Sequence, residues 1–554
     1  MTSPCMGASY GDMRRLKMTM DAVRDSKNTS LPDQVPAIEV WALYALNLHK
    51  ATMHGWERNP DRKDKNTGKE KRNFIIGRGG YIGLHRFAGL WTGDNSSSWD
   101  FLSVSVAQVL SLGLSGITIS GGDVGGFERS SDNEQWASPE LVMRWYCAYS
   151  LLPWFRNHYN GKPGRKLFQE PFRFIDHINQ VPDDQKWMYR AVLPVCRYYV
   201  RLRYSLLQLL YDQMFDNLLT GLPIARSLII SNEEDASLYG ENYNFLDDEY
   251  MVGDDLLVAP VLWTQADRGS RTRDVYLPRP SAWWQSNLRA DGPDYAVPLS
   301  ARFDGGSLIP YDARMSDQES QIPWMNPMFI NMVGFIFRLY AAFGSGLTLQ
   351  NLFSGAIIPQ IQPRRYAEDT SVPNPISILV YPGHDGSNRS YDMYLDDGVS
   401  RESAPTASGL QKSRAINMGI DLKAIKTVKV LSADAFGDDK AADVYWKVRI
   451  AQETKHDDSD PANPKIVRTI TVENIHTSPY FDPTTIYGPV YQLVVWAKPK
   501  RENSFTQAQV KISTKNGVIQ AKSWYDGGRK AWIVELPIQD VAKAPHTVEF
   551  SYKA

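Results

Sequence analysis

The chain has 554 residues, 43% hydrophobic and 22% charged, proportions that exclude wholesale disorder and leave room for several domains with sizeable cores. Lys plus Arg (61) nearly balances Asp plus Glu (62), so no global field draws the chain to nucleic acid or to an anionic membrane.

In chain order, Phe74–Gly77 reads as a strand running into a Gly-rich turn. Trp99–Leu112 has apolar residues at helical spacing, Gly116–Ser120 is a second buried strand, and Pro139–Leu152 is helical again. Trp187–Leu219 is a long apolar-periodic stretch, and Pro194 inside it is expected to break or kink the helix. This alternation predicts βα units around a parallel sheet. After about Pro260 short strand-like runs take over: Asp274–Leu277, Ile376–Tyr381, Thr427–Leu431, Val444–Ile450, Ile466–Val472, Tyr491–Trp496, Ala531–Leu536 and Thr547–Tyr552. They predict antiparallel β-structure in two modules, with Ser400–Ser413 as the linker. The charged run Asp61–Arg72 reads as a solvated loop. Met328–Phe337 is too short to span a bilayer, which needs ~20 apolar residues, and reads as a buried element. Gly253-Asp254-Asp255 reads as a turn.

Cys5, Cys147 and Cys196 form neither a disulfide framework nor a zinc pair, and Met1–Asp21 has no apolar core of a signal peptide. A reducing compartment, and so a cytoplasmic location, is expected. No phosphate loop, dinucleotide fingerprint or metal-helix motif is present. Chemistry concentrates in Arg78–Phe127. Arg78 and Asp123 follow predicted strands, and Trp91-Thr92-Gly93-Asp94-Asn95 precedes a helix, the positions that line the mouth of a βα barrel. Asp94 suits a general acid, but it or a neighbouring Asn or Ser equally suits an N-cap for the helix near Trp99. Asp123 alone fits an Asx-turn, and His158 alone fits a structural histidine.

These elements occur together and in order, and in that order the chain resembles glycoside hydrolase family 31. The resemblance rests on Arg78, Trp91 to Asn95, Gly121 to Phe127, Arg144-Trp145 and Arg156-Asn157-His158. It continues through Leu202-Arg203-Tyr204, Tyr250 to Asp255, Ala259-Pro260-Val261 and Tyr394 to Gly398. Within the family the likeness is greatest to the α-1,4-glucan lyases, through Tyr10 to Met13, Ala45 to Thr52, Lys71 to Gly79, Phe87 to Asn95 and Cys196 to Val200.

The resemblance implies an α/β plus all-β fold: a partial (β/α)8 barrel over 1–262, followed by two C-terminal antiparallel β-sandwich-like domains over 263–410 and 411–554. It implies Asp94 as general acid, and Arg78, Trp91, Asp123, Phe127, Arg156 and His158 around a terminal glucose. The implied substrate is an α-glucan or maltooligosaccharide, with no metal, cofactor, nucleic-acid or membrane partner. The implied reaction is cleavage through a covalent glycosyl-enzyme, with elimination releasing 1,5-anhydro-D-fructose. The rivals are a retaining α-glucosidase of the same family and a non-catalytic carbohydrate-binding fragment. Two departures stand out. The family's nucleophilic Asp, in Trp-x-Asp-Met, is expected just upstream of Met1, with Asp12-Met13 a decoy. An apolar stretch between Gln321 and Leu352 interrupts the approach to Phe353–Pro359.

Overall fold

The computed structural model describes residues 34–65, 67–130, 136–164, 166–240, 245–265, 272–334, 353–367, 372–406 and 441–554, with short pieces at 15, 17–19, 369 and 408–410. The expectations for Tyr10 to Met13 and Thr427–Leu431, and most of the apolar stretch before Leu352, lie outside the described residues.

In the first half, helix α1 (Ala37–Glu57) precedes strand β1 (Ile76–Gly77), and β2 (Gly89–Trp91) and β3 (Ser120–Gly121) follow. The three strands pair in parallel, Ile76 opposite Gly89 and Leu90 opposite Ser120. Helix α2 (Trp99–Leu114) makes the crossover from β2 to β3 and turns Leu102, Val106, Val109 and Leu110 inward at helical spacing. Strand β4 (Asp123–Val124) pairs in parallel with β5 (Arg156–Asn157) across α3 (Pro139–Tyr149). These are the βα units read from the sequence.

Helices α4 (Lys186–Ser205) and α5 (Leu207–Thr220) replace the single stretch Trp187–Leu219. The expected break at Pro194 does not occur. Pro194 lies inside α4, and the boundary falls at Leu206, twelve positions later. One lost backbone hydrogen bond is outweighed by a buried face of Ala191, Val192, Val195, Cys196, Tyr199 and Leu202. Two arginines from the family-like motifs anchor these helices through main-chain carbonyls. Arg144 on α3 donates to Met325 O (2.9 Å) and Ala313 O (2.7 Å). Arg203 on α4 donates to Ser150, Leu152 and Pro153 O at 3.0, 2.6 and 3.0 Å, fixing the chain just before β5.

Beyond Thr220 the sheets are mostly antiparallel. A six-stranded sheet orders Arg302–Asp304, Ala282–Gln285, Met328–Asn331, Leu256–Val258, Tyr250–Val252 and Ala225–Arg226, and so runs across residue 262. The buried element expected at Met328 is one of its inner strands. An eight-stranded sheet and a five-stranded sheet together take strands from Val333 to Lys553, and both run across residue 410. Two pairings depart from the expected pattern: Ser377–Val380 runs parallel to Val490–Trp496, and Phe353–Ser354 runs parallel to Asn388–Leu395. Buried Arg468 of the larger sheet donates to Tyr381 O (2.7 Å) beside the smaller one, and both sheets feed one apolar core.

Two expectations about surface segments are corrected. Asp61, Lys63, Lys65, Thr67 and Gly68 of the charged run are exposed, as a solvated loop requires, but the run is not solvated throughout. It folds back on itself, with Lys63 bridging Glu70, and docks on the segment from Asp396 to Glu402. Arg72 bonds Asp396, Tyr211 and Ser403 and donates to Ser400 O (2.9 Å), while Glu70 pairs with Arg401 at 3.2 Å. The linker expected from Ser400 is therefore partly interior: Ser400, Arg401 and Ser403 are buried. Ser400, Arg401 and Ser403 use their polar groups for hydrogen bonds inside the protein.

Candidate active site

The strand ends deliver the candidate residues. Arg78 follows β1, Trp91 ends β2, Asp123 opens β4, and Arg156 opens β5 with His158 just beyond it. Asp94 is not the helix cap. Ser98 caps α2, its side chain accepting from Phe101 N at 3.4 Å, and Asp94 faces Arg78 with Nη2 to Oδ2 at 3.8 Å. Both of those side chains are partly open to solvent.

Asp123 is fully buried, and its Oδ1 accepts from Arg156 Nη2 at 2.5 Å. Burial raises its carboxyl above the usual carboxylate range, while Arg156 and His158 oppose that rise. The other oxygen, Oδ2, completes no hydrogen bond, although the Trp91 side chain lies close enough to favour the charge. The Arg156 guanidinium also stacks over Trp91 and Trp154, 5.3 and 5.4 Å from the ring centroids. Phe127 meets Trp91 edge-on at 6.4 Å and tilts against His158 at 5.2 Å. All seven candidates thus belong to one connected constellation: Asp94 with Arg78, both partly exposed, buried Asp123 with the more open Arg156, and the rings of Trp91, Phe127 and His158.

Sequence reasoning passed over the residues that hold this constellation together. Asn95 is buried. Its Nδ2 donates to Asp123 O (3.0 Å), and its carbonyl accepts from Phe127 N (2.7 Å) and Glu128 N (3.0 Å), tying the Asp94 loop to the Asp123 loop. Gly126 has φ +91°, and a Cβ there would sit 2.4 Å from Ser97 Cα, so the two loops touch through backbone. His49 on α1 fills the space that a side chain at Gly77 would need, with 2.1 Å from that Cβ position to Nε2, and bonds Gly79 O at 3.1 Å beside Arg78. Asn95, the Gly125-Gly126 pair and His49 stood inside the quoted motifs, but nothing there signalled the contact His49 makes 30 residues away.

Among the described residues no group of three or more His, Cys, Asp or Glu is arranged to hold a metal ion. Cys147 is buried, and burial pushes its thiol up to about 12, which makes it a core residue and not a nucleophile. No described helix is long and apolar enough to cross a membrane.

Strand-end loops carrying acid, arginine and aromatic groups on a βα scaffold occupy the positions at which active sites sit in βα barrels. Residues 11–213 match the glycosyl hydrolases family 31 TIM-barrel domain and residues 221–315 the C-terminal domain of the same family, so the chain belongs to glycosyl hydrolase family 31. It is 31% identical over 283 residues to neutral alpha-glucosidase AB of Homo sapiens, a match that takes in 49% of this chain and 26% of that protein. To a probable glucan 1,3-alpha-glucosidase of Arabidopsis thaliana it is 29% identical, over 51% of this chain and 28% of the relative. The matched region is thus about a quarter of the length of these relatives. Among solved structures, the α-1,4-glucan lyase of Gracilariopsis lemaneiformis, a covalent intermediate complex, superposes with a TM-score of 0.63 at 21% identity, covering 93% of this chain and 42% of the lyase. A Flavobacterium johnsoniae GH31 dextranase gives 0.61 at 19%, covering 93% and 49%. The β-rich second half is thereby part of the family architecture.

Proposed function

We propose that this chain supplies the general acid and the terminal-glucose pocket of an α-glucan-cleaving enzyme. The observation that carries the reading is the pairing of an exposed acid, Asp94 beside Arg78, with a buried carboxylate, Asp123, on an aromatic floor. Asp123 Oδ2 and Trp91 Nε1 are a buried acceptor and a buried donor of the kind that sugar hydroxyls satisfy. Trp91, Phe127 and His158 offer ring faces to the sugar's C–H surface.

In the proposed reaction Asp94 gives its proton to the glycosidic oxygen as the bond to the anomeric carbon breaks. A carboxylate about 5–5.5 Å away attacks that carbon, forming a glycosyl-enzyme. Asp123 keeps the pocket-lining role that the family resemblance gives it, with Oδ1 held by Arg156. The attacking group in this reading comes from the family's Trp-x-Asp-Met motif. The glycosyl-enzyme then has two fates. Transfer of the C2 proton to the departing carboxylate, as the bond between that carboxylate and the anomeric carbon breaks, releases 1,5-anhydrofructose, the lyase path that the motifs Ala45 to Thr52 and Phe87 to Asn95 support. Attack by water gives glucose, the hydrolase path favoured by the 31% identity to an alpha-glucosidase. The buried, unpaired Cys147 and Cys196 support a reducing, cytoplasmic setting.

The test is turnover of maltotriose, with product analysis, by a protein that carries the Trp-x-Asp-Met motif together with this chain. Anhydrofructose supports the lyase path and glucose the hydrolase path, and Asp94→Asn is expected to lower turnover at least 100-fold, the scale of general acid catalysis. Unchanged turnover in that variant would remove Asp94 from its role. Saturable binding with no turnover would favour the carbohydrate-binding reading.

A further inference from the structure

Gln169 lies outside every motif used so far and is fully buried. Its Nε2 donates two hydrogen bonds, to Gly126 O and to His158 O, both at 2.9 Å. Those carbonyls belong to the two loops that present Phe127 and His158, whose rings lie 5.2 Å apart. The amide is aimed from a fourth segment, which is fixed independently. Phe168 bridges Trp136, Ala137 N donates to Phe168 O at 3.0 Å, and Glu170 Oε2 accepts from Gln169 N at 3.3 Å while Oε1 takes the Tyr159 hydroxyl. The fit around the amide is close: a Cβ at Gly125, which has φ +93°, would sit 1.9 Å from Gln169 Oε1. A side chain with two N–H donors can face two carbonyls at once. A carboxylate of the same shape would set acceptor against acceptor, and a methionine would leave both carbonyls unmet.

We propose that Gln169 is a positioning residue for the sugar pocket, fixing the separation of Phe127 and His158 by clamping Gly126 O and His158 O with one amide. The proposal rests on the reading of that pocket as the terminal-glucose site. It acts through the loops: Gln169 reaches neither the substrate nor the proton in flight.

The experiment compares the full chain with Gln169→Met, and with Gln169→Glu should the first variant fail to fold. The dissociation constant for maltotriose is measured by calorimetric titration, the melting temperature by scanning calorimetry, and the Phe127–His158 separation from a crystal structure of the sugar-free variant. The expected result is a roughly tenfold weaker affinity, the scale of a lost positioning bond, with the ring pair displaced and the melting temperature within a few degrees of the parent. Parent-like affinity, or an unmoved ring pair, overturns the proposal, and so does a loss of affinity that merely tracks a fall in melting temperature. If the parent chain itself binds no maltotriose, the glucose-pocket reading fails. The ring separation then decides the clamp by itself, displacement supporting it and an unchanged pair overturning it.

Discussion

At the scale of single residues, the site separates two carboxylates by environment. Asp94 is partly exposed beside Arg78, and Asp123 is fully buried against Arg156. Removing the partner of the buried one exposes the difference. Arg156→Met leaves Asp123 without its cation and is expected to cost about 1–3 kcal/mol of stability near neutral pH, the cost of a buried polar group losing its bond. The same change raises the folded-state pKa of Asp123 further. A carboxyl whose folded pKa stands above its unfolded value gives stability that is present at low pH and lost as pH rises. The variant's deficit in urea unfolding should therefore shrink toward pH 4, and an equal deficit at both pH values would contradict the pairing. The candidate residues at this scale were legible in the sequence, because Arg78, Asp94 and Asp123 occur at or just after strand ends within recognisable motifs. Their supports were not. The contacts of His49 and Gln169 are made to backbone oxygens, which any residue carries, so no side-chain pattern marks them.

At the scale of elements, the loops between strands and helices are held at backbone distance. Gly126→Ala forces a Cβ toward Ser97 Cα at a positive φ and should cost about 1–3 kcal/mol while disturbing the Asp94 loop that Ser97 ends. A melting curve and a sugar titration on that variant check both effects, and a fully parent-like protein would mean that the loops do not touch. The helices show where local reading stops. The apolar period of Trp187–Leu219 was visible, but Pro194 was given a break that burial of the Ala191–Tyr199 face overrides. The β-strands of the second half were visible as runs, whereas their partners were not. Ser377–Val380 pairs with Val490–Trp496 more than a hundred residues on, a partner that neither run names by itself.

At the scale of the whole molecule, the barrel side and the β-rich side are joined by buried polar contacts. Asp212 on α5 accepts from Tyr391 OH (2.7 Å), Tyr394 N (2.8 Å) and Gln208 Nε2 (2.8 Å). Burial pushes its carboxyl up to about 8, against those hydrogen bonds. The folded state therefore holds a proton there that the unfolded chain releases near the usual carboxylate value of ~4. Its contribution to stability is complete below about pH 4 and declines as pH rises toward about 8. Asp212→Asn should flatten the fall in melting temperature between pH 5 and pH 8, and an unchanged slope would place the titration elsewhere. The docking of Asp61–Arg72 is the second join: Arg72→Met should loosen residues 61–72 and raise their hydrogen exchange, with a cost of about 2–4 kcal/mol for the lost charge-assisted bonds. A charge run gives no hint of this, because its partners sit near residue 400. The central claim is that the Asp94–Asp123 constellation holds the end of an α-glucan, and equilibrium titration of maltotriose against the parent chain and Asp123→Asn tests it most directly. The account predicts saturable binding by the parent and roughly 10- to 100-fold weaker binding by the variant, the scale of a charged hydrogen bond to the sugar. Equal binding by both proteins, or none by the parent, would contradict it.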